Sequence, residues 1–344
     1  MTTKNQARAV VYGLACGDAL GWPTEFMSMP AIWNKYGKNG ITDLSQTKGE
    51  FTDDSQMTIA LAEGLLDALR ETPVVNMSPT DALADPNYVM PRVAERFLEW
   101  SVSPENNRAP GTSCMGGCRR LGDGLPWNKS GVPGALGCGA VMRVAPIGLV
   151  YENRETIRKI AEASAITTHG SEPAARSAHL GALAIRLALD GMQPREILDK
   201  LVETLSGVLT PATQNLMSLL VSIPGLVNLT MSGRLQTWEV MDRDKLGQSW
   251  VADEALASAL YCVLLADKRG EGYVDAVNYG ANTPGDSDSI ACIAGGIAGA
   301  LWGIGSGLDS RGIPTEWVDM IEDSAKLGDL ADRLADASVS LASE

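Results

Sequence analysis

At 344 residues the chain is long enough for one large domain or two ordinary ones, and 45% apolar residues supply a large core without disulfides. Its 42 acidic against 28 basic residues leave a net charge of −14, with no Lys/Arg run longer than a dipeptide (Arg119-Arg120), which argues against a nucleic-acid partner. The six cysteines (Cys16, Cys114, Cys118, Cys138, Cys262, Cys292) make no Cys-x-x-Cys pair and no His cluster joins them, so reduced thiols in a cytoplasmic protein are expected, not a zinc site.

The first expected helix covers 6 to 20 and ends near Gly21-Trp22-Pro23. The N-terminus lacks a basic stretch followed by a long apolar run, so no signal peptide is expected. Residues 22 to 51 read as loop, because Pro23, Pro30, Gly37, Gly40 and Gly49 interrupt any period. Then Met57, Ala60, Leu61, Gly64, Leu65 and Ala68 fall on one face of a helix, and Asp53 with Gln56 resembles a capping box at its start. Residues 72 to 90 read as connection, 91 to 101 as helix, and 102 to 139 as a Gly/Pro-rich segment too long to be structureless. Helical patterns return at 140 to 150, 154 to 166, 172 to 190, 194 to 206, 211 to 222, 252 to 267, 271 to 279 and 289 to 303. A last amphipathic segment covers 315 to 340. The uncharged run from 290 to 305 is short and Gly-rich, which fits a buried helix better than a membrane span. Strand alternation is nearly absent and no linker stands out, so one mostly helical domain over 1 to 344 is expected.

Two acidic clusters sit where a loop enters an apolar helix. Thr52-Asp53-Asp54 is the first and Asp286-Ser287-Asp288-Ser289 the second. Each by itself reads first as a helix cap, since acids and hydroxyls favour that position. Together they offer four carboxylates and two hydroxyls, hard oxygen donors that suit Mg2+, Mn2+ or Ca2+ better than zinc. Gly295, Gly299 and Gly303 form a small face that would draw the second cluster inward. Asp18 and Glu25 bring two more carboxylates near a loop. Gly134 to Pro146 is a Gly-rich turn whose backbone N–H groups could cradle phosphate oxygens or simply pack closely. His169, beside Gly170 and two threonines, is the better ligand candidate of the two histidines.

The segments GLACGDALGWPTEF, GEFTDDSQMTIALAEGLL, GALGCGAVMRVAPIGL, ITTHGSEPA and NTPGDSDSIACIAGGIAGALWG, from residue 13 to 303, resemble the ADP-ribosylglycohydrolase family. The resemblance implies an all-α fold with a central binuclear centre of two Mg2+ or Mn2+. It implies hydrolysis of the bond joining ADP-ribose to a modified protein side chain, or to a small compound such as O-acetyl-ADP-ribose. It assigns Thr52, Asp53, Asp54, Asp286, Asp288 and Ser289 as metal ligands, and Glu25 as a family glutamate on a mobile loop. Gly137, Cys138, Gly139, Met142, His169 and Asp18 become substrate-binding candidates, and Asp54 or Asp288 the general base. No nucleic-acid or membrane partner is implied. Cys138 stands where the family loop often has Asn, which bears on substrate preference. A non-catalytic ADP-ribose binder of the same fold is the alternative, and turnover separates the two.

Overall fold

The computed structural model describes residues 1–70, 79–305 and 310–342, and its regular structure is helical apart from four two-residue strands. At its centre, helix Lys4–Gly21 runs against helix Ser287–Trp302 along nearly their full lengths. The first opens on a capping box, with the Thr3 hydroxyl and the Gln6 side chain each bonding the other's backbone N–H. Contact this close needs residues without side chains. A Cβ on Gly13 would overlap the Gly295 carbonyl, one on Gly17 the Ala291 carbonyl, and one on Gly21 would lie 2.5 Å from the Asp288 Cα. Gly299 completes the seam against Ala9. Gly303 does not belong to it: with φ of 72° it ends the helix, a conformation glycine adopts freely. The expected small face is therefore one residue shorter than its spacing suggested.

Helix Asp53–Arg70 buries Met57, Leu61, Leu65 and Ala68, and packs on helix Pro86–Val102 where Gly64 meets Val93. Each large apolar side chain so buried stabilises the fold by about 1.5–3 kcal/mol. The expected capping box is not made. Asp53 is already the first helical residue, and the Gln56 side chain instead accepts from the Trp100 indole and donates to the Glu105 carbonyl.

Three stretches differ from expectation. Helix Met29–Tyr36 lies inside the expected 22–51 loop, because Pro30 occupies its first turn, where a missing N–H costs nothing. The long 102–139 segment contains helix Thr112–Gly122, a short helix Trp127–Ser130 and strand Val132–Pro133, which pairs in parallel with His169–Gly170. That small ladder sets His169 beside the Gly-rich turn. The expected 315–340 helix is divided into Thr315–Met320 and Ser324–Ala342, where Ile321 turns into the core and Asp323 takes φ of 53°. Helix Gln214–Met231 runs past the expected end at 222 and through Pro224. Of the expected 72–90 connection, residues 72–78 lie outside the described residues; the remainder holds helix Pro79–Leu83 and the Asp85-capped start of Pro86–Val102. The 290–305 run is a buried helix, and no helix among the described residues is long and apolar enough to cross a membrane.

Candidate metal centre and substrate cavity

The two acidic clusters meet. Thr52, Asp53 and Asp54 open helix 53–70, Asp286, Asp288 and Ser289 open helix 287–302, and all six are buried. The glycine seam forces this, since it fixes helix 287–302 against helix 4–21, whose Asp18 holds the 52–55 turn. Thr52 Oγ1 lies 3.5 Å from Oδ2 of both Asp54 and Asp288. Glu25, just past the 3-10 turn Trp22–Thr24, joins them: oxygens of Glu25, Asp286 and Asp288 lie within 4.8 Å of one another.

Asp18 does not line the cavity. It lies behind Thr52, fully buried, and accepts from the Thr52 hydroxyl at 2.8 Å, the Ser55 hydroxyl at 2.7 Å and both backbone N–H groups at 3.0 Å. Other carboxylates are held from loops. Gly111 N–H donates to Asp53 Oδ2 at 3.0 Å, and Asp286 receives the Cys138 thiol at 2.8 Å and the Ser289 N–H at 3.3 Å.

Burial disfavours each of these charges, and their neighbours add repulsion. Burial, then Asp288, pushes the Asp18 carboxyl up to about 7 and Glu25 up to about 10. Burial, against the Gly111 N–H that favours the anion, leaves Asp53 at about 8. Asp54 and Asp286 stand well above the usual carboxylate range, mainly through burial and then Asp288. Asp288 is raised by burial too. Asp54 Oδ1 is buried with no hydrogen-bond partner. Among the described residues no lysine or arginine lines the space these groups face. An orphaned carboxylate oxygen in an all-oxygen, cation-free cluster fits a hard divalent ion.

That space is a cavity of 340 Å³, bounded also by Gly137, Cys138, Gly139, Met142 and His169. The substrate-binding candidates other than Asp18 thus share one wall. The fully buried Arg143 donates to Thr168 Oγ1 at 2.7 Å, which leaves the Thr168 proton for His169 Nδ1 at 2.8 Å. The ring proton then belongs on Nε2, on the side of Gly137. Burial and then Arg143 hold His169 down at about 3, so it is a neutral donor. A larger groove of 730 Å³ lies elsewhere, between helices 53–70 and 324–342. Its charges pair with each other, as Arg333 with Glu63 and Arg108 with Glu322, and Asp53, Asp54, Asp286 and Asp288 do not face it.

Sequence reading missed three parts of the wall. Gly111 to Cys114, the N-terminal turn of helix 112–122, presents backbone N–H groups and was hidden in the long Gly/Pro segment. Phe26 and Trp250 stand at the rim with stacked rings, centroids 5.2 Å apart. The stretch 248–251 ties the site together by backbone alone: Asp286 N–H donates to Gln248 O, Cys138 N–H to Trp250 O, and Gly137 bridges Val251. An exposed aromatic pair leaves no periodic signal, and carbonyl contacts are independent of residue type.

A protein of Archaeoglobus fulgidus without a functional name is 31% identical over 340 residues, covering 95% of each chain. The ADP-ribosylhydrolase ARH3 of Danio rerio is 28% identical, over 96% of this chain and 90% of its own. The ADP-ribosylarginine hydrolase Tri1 of Pseudomonas putida is 25% identical, over 96% and 78%. In structure, an ADP-ribosylglycohydrolase-related protein complex matches with a TM-score of 0.66 at 24% identity, over 97% of this chain and 99% of that one, which shows the shared fold. The ADP-ribosylglycohydrolase family model matches residues 1–342, and the chain belongs to the ADP-ribosylglycohydrolase family.

Proposed function

We propose that this protein is a metal-dependent hydrolase that removes ADP-ribose from a modified protein side chain, reversing mono-ADP-ribosylation. The observation that carries the reading is the buried, unpartnered Asp54 Oδ1 within a cluster of carboxylates that no lysine or arginine faces. A diphosphate ligand would be repelled from such a cluster unless cations offset it. Two Mg2+ or Mn2+ ions, held by Thr52, Asp53, Asp54, Asp286, Asp288 and Ser289, are the natural counter-charge. When bound, such ions acidify water and polarise the ribose oxygens they touch.

The chain's own groups divide the remaining work. The His169 Nε2–H, the backbone N–H groups of 112–114 and those of Gly137 and Gly139 supply donors for the diphosphate. Asp54 or Asp288 takes the proton of the attacking water. The surrounding carboxylates, Glu25 among them, stabilise the positive charge that develops at the anomeric carbon. Two relatives are named for hydrolysing ADP-ribosyl bonds, one of them at arginine, and both N- and O-linked acceptors belong in the assay.

The test is release of ADP-ribose from ADP-ribosyl-arginine and ADP-ribosyl-serine peptides and from O-acetyl-ADP-ribose, with Mg2+ or Mn2+. Release should cease in excess EDTA and in the Asp53→Ala/Asp54→Ala double variant. Undiminished release under either condition would overturn the reading, and release from O-acetyl-ADP-ribose alone would redirect it to small compounds.

A further inference from the structure

Arg143 is sealed inside the molecule, and among the described residues no carboxylate pairs with it. Arg186, also buried, does pair, with Asp190 at 2.8 Å. The Arg143 guanidinium lies 4.4 Å over the Phe97 ring and beside the sulfurs of Met57 and Cys114, at 3.5 and 3.8 Å. Its Nε has no hydrogen-bond partner. Only Nη2 meets oxygen, donating to Ser164 O at 2.8 Å and to Thr168 Oγ1 at 2.7 Å. A methionine would fill so apolar a space at less cost, because this arginine gives up its hydration for two acceptors.

The placement explains the charge. Arg143 belongs to the turn whose Gly137 and Gly139 face the cavity, but its head lies one layer back, behind His169. Thr168 between them is clamped: its carbonyl receives Val132 N–H at 2.9 Å, and a Cβ on Gly117 would lie 2.5 Å from its Cα. With one side of the Thr168 oxygen taken by Arg143, its proton goes to His169 Nδ1. A lysine or arginine in the cavity wall itself would be drawn to Asp53, Asp54, Asp286 and Asp288, which face the same space. Set behind His169, an unpaired guanidinium keeps its charge, and in a dry surrounding that charge reaches further than in water.

We propose that Arg143 is the positioning residue of the cavity's anion end: through Thr168 it fixes His169 as an Nε2–H donor, and it lends that wall a positive charge that no wall residue carries. That the anion is the diphosphate rests on the hydrolase reading above; the chain Arg143–Thr168–His169 does not. A purely structural role is the competing account, since Ser164 O lies in the last turn of helix Arg154–Ile166, where a cation is favoured. That role touches stability and leaves the imidazole alone.

The imidazole can be read directly, because the chain has only two histidines and His179→Gln assigns the second. The full-length protein is labelled with 15N-histidine, and the ring nitrogens are observed by long-range 1H–15N correlation. Wild-type His169 should show one neutral tautomer with the proton on Nε2. Arg143→Met suits the apolar pocket and frees the Thr168 oxygen to accept from Nδ1–H, so the two ring 15N shifts should move toward one another. Thr168→Val should move them the same way, and Thr168→Ser should keep the wild-type pattern. Calorimetric titration with ADP-ribose and Mg2+ should show affinity about tenfold weaker in Arg143→Met, the scale of one hydrogen bond to a charged group, and within a few-fold of wild type in Thr168→Ser. Unmoved ring shifts in both Arg143→Met and Thr168→Val would overturn the proposal in favour of the structural role. Wild-type ADP-ribose affinity in Arg143→Met would overturn the charge assigned to it. A wild-type protein that releases ADP-ribose from no ADP-ribosyl compound, yet shows these shifts in its variants, would sink the hydrolase reading and leave the chain of three residues standing.

Discussion

The Thr52 hydroxyl donates to Asp18 at 2.8 Å, and this turns its lone pairs toward Asp54 and Asp288, each with an Oδ2 3.5 Å away. Asp18 thereby converts an ordinary helix-entry threonine into an oriented oxygen donor. In Asp18→Asn, the amide NH2 faces N–H and O–H donors and cannot accept them all. Outer groups of this kind commonly control metal affinity by about 10–100-fold. Isothermal titration of Mn2+ into Asp18→Asn should show a loss of that size, and an unchanged Kd would mean that Asp18 does not orient Thr52.

The metal-free protein should be most stable in mild acid. Asp18, Asp53 and Glu25 have raised folded-state pKa values, to about 7, about 8 and about 10. Between the unfolded carboxylate range near pH 4 and those values the folded state binds more protons than the unfolded one, so stability falls as pH rises. Differential scanning fluorimetry in EDTA should show Tm decreasing from pH 5 to pH 8. Saturating Mn2+ should reverse that slope above pH 7. A metal-free Tm that rises across the window would contradict the burial of these charges.

Cys138 touches Asp286 through its thiol at 2.8 Å. Removing a hydrogen bond to a charged group costs about 1.5–3 kcal/mol. Cys138→Ala should therefore lower kcat/KM by roughly tenfold or more, while Cys138→Ser keeps a donor and should stay within a few-fold of wild type. Equal losses in the two would show that Cys138 only fills space.

The glycine seam predicts opposite signs for one substitution at two places. Gly17→Ala drives a methyl group into the Ala291 carbonyl and should destabilise by about 1–3 kcal/mol. Gly225, inside helix 214–231, has nothing within 4 Å of an added Cβ, so Gly225→Ala should stabilise by up to about 1 kcal/mol. Urea unfolding of both variants reads the difference.

The acidic clusters and the helices behind them were legible because acid at a loop-to-helix entry and apolar periodicity are both local signals. The 289–303 pattern marked its helix to within two residues at the start. Helix 112–122 was hidden because Gly116, Gly117 and Gly122 read as loop, although Gly117 is glycine so that Thr168 can lie against it. Pro30 was read as a break when it occupies a helix start. Asp18 was visible as a carboxylate, but which way it faced depended on Ser55 and Thr52 more than thirty residues away. Gln248 contributes only its carbonyl, which every residue has, so no sequence pattern could have named it.

The Ser287 hydroxyl bonds the Gly21 carbonyl across 266 residues of sequence, at the end of the seam that joins the two halves of the site. Contacts of such separation form late, after the intervening chain has given up its freedom. A nascent chain that has exposed Asp53 and Asp54 still lacks their partners until helix 287–302 has emerged. On the proposed metal-dependent reading, loading is therefore a terminal event of folding, and ion uptake would mark a chain whose two distant helices have found each other.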